Sequence, residues 1–113
     1  EMDTVMIVDD EQYSHDFYNE MLEVTDYEVL SVYDGNEALS MLDGISPVLV
    51  VIDYLVLQNM ALTISRTDGM CSGYIGNIPV IIAGNFSQQV IMVQTYLANR
   101  KHKKSQARFT CDT

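Results

Sequence analysis

Three aspartates carry the chemistry that this sequence offers. Asp9 and Asp10 close a short apolar run, Thr4-Val5-Met6-Ile7-Val8, and Asp53 closes a second, Val48-Leu49-Val50-Val51-Ile52. If the two runs are neighbouring strands, the three carboxylates meet at one edge of a sheet. Carboxylates held within a few ångströms repel one another unless something neutralises them. A hard divalent cation does so, and Mg²⁺ suits a site of few carboxylates that also admits water and phosphate oxygens. Asp9 and Asp10 alone would equally suit the start of a following helix, where acids favour the positive end of the dipole. Asp53, at the end of an apolar run, is less easily explained that way. The three together predict a metal-binding acidic site.

The elements that must position these acids follow from the apolar pattern. Val48 and the four residues after it are apolar without alternation, and four of the five are β-branched, which predicts a strand buried on both faces of a parallel sheet. In such sheets ligands bind beyond the carboxyl ends of the strands, where Asp53 stands. Phe17, Met21 and Val24, with Tyr18 and Leu22, recur at helical spacing over residues 12–25. On that reading His15, Asp16, Asn19, Glu20 and Glu23 face water, and Asp10 or Ser14 caps the start. Residues 27–33 alternate as a strand with one less buried face. Asp34-Gly35 turns the chain into a short helix capped by Asn36, which stops at Asp43-Gly44, and Pro47 forbids helix just ahead of the third strand. Residues 78–83 predict another buried strand, and Phe86, Val90, Val93 and Leu97 mark a helix over 87–98 with Asn99 in its C-terminal turn. Residues 55–77 suggest one or two helical turns and then a long loop, and 107–111 a last short strand. Strands alternating with helices over short connections predict an α/β parallel sheet.

At 113 residues and 48% apolar, the chain is one globular domain. Its longest hydrophobic stretch, 45–57, is broken by Pro47 and Asp53 and falls short of the ~18–20 residues that a membrane span needs. No basic-then-apolar leader opens it, so a cytoplasmic protein with reduced thiols at Cys71 and Cys111 is expected. Residues 1–99 hold fifteen acids and one base, Arg66, for a net −14, whereas residues 100–113 hold five bases and one acid for +4. Such a body repels nucleic acid and attracts cations. The basic end, with His102, reads as a solvated loop, and the seven methionines read as packing.

Val5-Met6-Ile7-Val8-Asp9-Asp10-Glu11, Tyr27-Glu28-Val29, Asp34-Gly35-Asn36-Glu37-Ala38-Leu39, Val48-Leu49-Val50-Val51-Ile52-Asp53 and Ile78-Pro79-Val80-Ile81-Ile82, in this order, resemble the receiver domain of two-component response regulators. The resemblance covers about residues 4–58 and 78–98. It implies a doubly wound, flavodoxin-like sheet of five parallel strands in the order 2-1-3-4-5. It also implies that Asp53 accepts a phosphoryl group from a sensor histidine kinase or phosphotransfer protein. Asp10 would bind Mg²⁺ directly and Asp9 through water, with the Leu55 backbone carbonyl as a third ligand. By the same resemblance the domain is a signalling phospho-acceptor, not an enzyme beyond self-catalysed phosphotransfer and dephosphorylation. The added charge of about −1.5 to −2 is read in the family by a hydroxyl residue after the fourth strand and a lysine after the fifth.

The chain departs from that pattern in four places. Gly84 occupies the hydroxyl position, Lys103 or Lys104 is the nearest counterpart of the lysine, and Leu57-Gln58-Asn59-Met60-Ala61 replaces a proline turn with Asp-Gly. The family's final helix is missing. Residues 1–113 are therefore expected to form a single receiver domain, truncated or degenerate after about residue 98, with apolar sheet surface uncovered unless a second copy covers it by exchanging segments. An output domain is a possible further partner; a membrane or direct nucleic-acid contact is not expected. These departures favour an alternative in which the domain is a pseudo-receiver, an interaction module without the switch. A haloacid-dehalogenase-type phosphohydrolase would need a second aspartate where Leu55 stands, and a dinucleotide-binding domain would need a glycine-rich turn after the first strand.

Overall fold

The apolar runs become the middle of a sheet and the acids become its rim. The computed structural model describes residues 2–58, 60, 65–67, 72–83 and 85–102. Its elements are β1 (Asp3–Val8), α1 (Gln12–Leu22), β2 (Tyr27–Val32), α2 (Gly35–Leu42), β3 (Leu49–Asp53), α3 (Tyr54–Gln58), β4 (Ser65–Thr67), β5 (Ser72–Ile75), β6 (Ile78–Ala83) and α4 (Phe86–His102). The sheet order is β2-β1-β3-β6-β5-β4. β1 pairs in parallel with β2 and β3, and β3 with β6. The fold class is thus α/β, as the alternation of elements predicts.

The outer half of the sheet corrects the expectation of five parallel strands. β2, β1, β3 and β6 follow the expected order, with β6 in fourth place, but the next two positions belong to β5 and β4, both antiparallel to their neighbours. The cause is a two-residue hairpin. Ile75 pairs with Ile78 across Gly76-Asn77, and Gly76 has φ 61°, a conformation open to glycine without the Cβ penalty and suited to tight hairpins. A parallel neighbour needs a long crossover; an antiparallel one needs only this turn. The loop formers across 55–77 hide two short strands, and the expected strand at 107–111 lies outside the described residues.

Strand residues alternate between two cores. Val5, Ile7, Leu49, Val51 and Ile81 face α1 and α4, which contribute Tyr18, Leu22, Val93 and Leu97 among others. Met6, Val8, Val50, Ile52, Val80 and Ile82 face the opposite way, toward Ala38 of α2 and Val56 and Leu57 of α3. The expected gap on the sheet is therefore closed by α4, which packs beside α1. α4 also runs past Asn99 to His102, and Arg100, expected in a solvated loop, bonds Asp3 at 3.0 Å.

α1 corrects a second expectation. It buries Ser14, His15, Tyr18 and Leu22, whereas Phe17 and Val24 are exposed at 39% and 89%. The helix is rotated so that His15 lies inside, and Phe17 sits at the rim with its ring 5.1 Å from that of Phe86. The chain leaves the helix at Leu22, where Thr25 Oγ1 donates to the Leu22 carbonyl at 2.6 Å. Neither expected cap of α1 forms, because its N-cap residue is Glu11 and has no side-chain bond. α2 is capped by Asp34, which accepts from the Asn36 N–H at 3.2 Å, not by Asn36. Among the described residues no helix is long and apolar enough to cross a membrane.

Candidate metal centre

Two adjacent parallel strands deliver the three acids. The register sets Val8 opposite Ile52, so Asp9 and Asp53 leave the sheet side by side at its carboxyl edge. One carboxylate oxygen from each of Asp9, Asp10 and Asp53 lies within 4.8 Å of the other two; Asp9 is buried, Asp53 half-buried and Asp10 exposed. The pocket is therefore closed behind and open in front. A cleft of about 160 Å³ opens beside it, lined by Asp10, Tyr33, Asp34, Asn36, Val56 and Met60 among others.

Each strand-end acid is held by backbone. Asp9 Oδ1 accepts from the Glu11 N–H at 2.9 Å, and the Asp9 N–H donates to the Val32 carbonyl at 3.0 Å. Asp53 Oδ2 accepts from the N–H groups of Leu55 at 3.1 Å and Val56 at 3.4 Å. Because α3 begins at the residue after Asp53, those N–H groups belong to its open first turn.

The electrostatics call for a cation. Burial raises the Asp53 pKa above its ordinary value of 3.8, the nearby Asp9 and Asp10 raise it further, and the two backbone hydrogen bonds lower it only in part. Two unit charges about 5 Å apart repel by roughly 3 kcal/mol at an effective dielectric of about 20. Among the basic residues whose side chains are described only Arg100 offers a cation, and it bonds Asp3 at the far end of β1, about 20 Å away along the strand. Three oxygens of this kind form a donor set for a hard divalent ion.

The sequence-predicted residues sort clearly. Asp9, Asp10 and Asp53 come together, and Leu55 lies in the first turn of α3 with its N–H on Asp53. Gly84, Lys103 and Lys104, like both cysteines, fall outside the described residues. His15, expected to face water, is instead fully buried, with Nε2 2.7 Å from the Asp9 carbonyl. Gln89 is a residue that the sequence pattern did not single out. It accepts from the Tyr18 hydroxyl at 3.0 Å and donates to the Ile52 carbonyl at 3.3 Å, next to Asp53. The signal for both is spacing: His15 falls in line with Tyr18 and Leu22, and Gln89 with Val93 and Tyr96, at helical intervals that mark a buried stripe. Comparison with protein-family models, curated proteins and solved structures finds no match.

Proposed function

We propose that this chain is a phospho-accepting receiver domain in which Asp53 takes a phosphoryl group from phosphohistidine on a sensor histidine kinase or phosphotransfer protein. The observation that carries the reading is the meeting of Asp9, Asp10 and Asp53 at the carboxyl ends of β1 and β3. Helices on both faces and the order β2-β1-β3-β6 are in keeping with the doubly wound fold that the reading requires. Mg²⁺ held by Asp9, Asp10, Asp53 and the Leu55 carbonyl would supply positive charge for the phosphoryl oxygens. Asp53 attacks phosphorus through a carboxylate oxygen, the P–N bond to the imidazole breaks, and an acyl phosphate forms on Asp53. The backbone N–H groups of Leu55 and Val56 fix the nucleophile while the pocket's open side admits the donor.

The test is intact-mass measurement after incubation with Mg²⁺ and a small phosphodonor, followed by peptide mapping. The expected result is one added phosphoryl group on Asp53, lost with a chelator and in Asp53→Asn. An equal mass gain in Asp53→Asn would overturn the assignment.

A second reading, the pseudo-receiver, is favoured by one structural observation and one sequence feature. The edge of β6 where a lysine-bearing fifth strand was expected is occupied by β5, and Gly84 supplies no hydroxyl. This reading expects a phosphate mimic to bind without shifting the amide signals of α4. A clear shift there favours the switching domain.

A further inference from the structure

We infer that His15 is a positioning residue for the metal centre, acting through the backbone of Asp9; the inference rests on the proposed Mg²⁺ site. His15 is completely buried. Its Nε2 lies 2.7 Å from the Asp9 carbonyl oxygen, and a carbonyl can only accept, so the ring proton is on Nε2. Nδ1 is buried and has no partner among the described residues. A leucine would fill this place without leaving a ring nitrogen unpaired. What only the imidazole adds is a hydrogen-bond donor aimed at Asp9.

That bond sits where it governs both ligands. The peptide unit is planar, so fixing the Asp9 carbonyl sets the plane that runs on to Asp10 and the direction in which Asp10 leaves it. On the other side the Asp9 N–H is tied to Val32, and the carboxylate is tied to the Glu11 N–H. Asp9 lies one residue beyond the end of β1. The ladder to β2 reaches the Asp9 N–H, and the His15 bond holds the carbonyl on its far side. The ring is held by Tyr33, whose ring centroid lies 4.0 Å away at 38°, and the Tyr33 hydroxyl donates to Gln12 Oε1 at 2.9 Å. The donor therefore has little freedom of its own.

The experiment is Mg²⁺ titration of the full chain and of three variants, with thermal unfolding measured in parallel. Glutamine can place its amide N–H near the position of Nε2, whereas asparagine stops at the position of Nδ1 and leucine has no donor. His15→Gln is expected to bind Mg²⁺ within about threefold of wild type. His15→Asn and His15→Leu are expected to bind about 10–100-fold more weakly, the usual range for losing an outer-shell partner. Affinity and melting temperature should not follow the same order, because leucine brings no polar group into this buried position that could be left unpaired, whereas asparagine does. Equal affinity in the Gln and Asn variants would overturn the inference, as would wild-type affinity in His15→Leu. If His15→Leu does not fold, the Gln and Asn pair still decides. Failure of the wild-type protein itself to bind Mg²⁺ would instead count against the proposed site.

Discussion

Asp53→Asn removes one charge from a cluster of three and leaves the shape of the side chain almost unchanged. In the wild-type protein the Asp53 carboxylate faces two others within 4.8 Å, and at an effective dielectric of about 20 each pair costs roughly 3 kcal/mol. Solvent around exposed Asp10 and half-buried Asp53 reduces that sum severalfold. The asparagine oxygen can still accept from the Leu55 and Val56 N–H groups, so the loss on that side is small. The metal-free variant is expected to be more stable than wild type by about 1–2 kcal/mol, a rise in melting temperature of about 4–8 °C. Thermal unfolding followed by circular dichroism, with chelator and then with Mg²⁺, reads both states. Mg²⁺ at about 100 times its dissociation constant should raise wild type by roughly 2.7 kcal/mol and the variant by much less, so the gap closes or reverses. The pH dependence has a definite sign. The folded pKa of Asp53 lies above 3.8, so the folded state keeps a proton that the unfolded chain has lost. Metal-free wild type should lose stability as pH rises from about 3.8 through the raised value, and that slope should vanish in Asp53→Asn. A variant less stable than wild type in chelator, or a gap indifferent to Mg²⁺, would refute the reasoning.

Three further outcomes follow from particular contacts. Tyr18→Phe leaves the buried Gln89 amide oxygen without the hydroxyl that bonds it at 3.0 Å, and should cost about 1–2 kcal/mol in denaturant unfolding. Asp34→Ala should lower stability by about 0.5–2 kcal/mol through loss of the α2 cap, while Asn36→Ala should change it far less, because Asn36 contributes its backbone N–H and not its side chain. Arg100→Ala breaks an exposed pair with Asp3 and should shift stability by less than about 1 kcal/mol, an effect that added salt should erase in the wild-type protein.

The central strands and the acids at their ends were readable in advance because burial on both faces leaves no choice of residue type. β1 and β3 show it as apolar runs, and a carboxylate that ends such a run has few other places to be. The rest was obscured by local chemistry. α1 turns Phe17, which sequence alone would bury, to its rim, and Val24 lies beyond the end of the helix, while the buried stripe includes the polar Ser14 and His15, the latter bonded to the Asp9 carbonyl. The hairpin of β5 and β6 turns at Gly76-Asn77, but that pair, like the glycines, serines and threonines before it, reads as loop in the sequence. The closure of the sheet by α4 depends on which face that helix takes, and hydrophobic periodicity carries no information about that choice.

The proposed function requires Asp9, Asp10 and Asp53 to share one divalent cation, and paramagnetic titration with Mn²⁺ as a probe of that site tests it most directly. Amide signals of residues 9–11 and 53–56 are expected to broaden first, and added Mg²⁺ to restore them. Broadening spread over the acidic surface, or broadening that Mg²⁺ does not reverse, would contradict it.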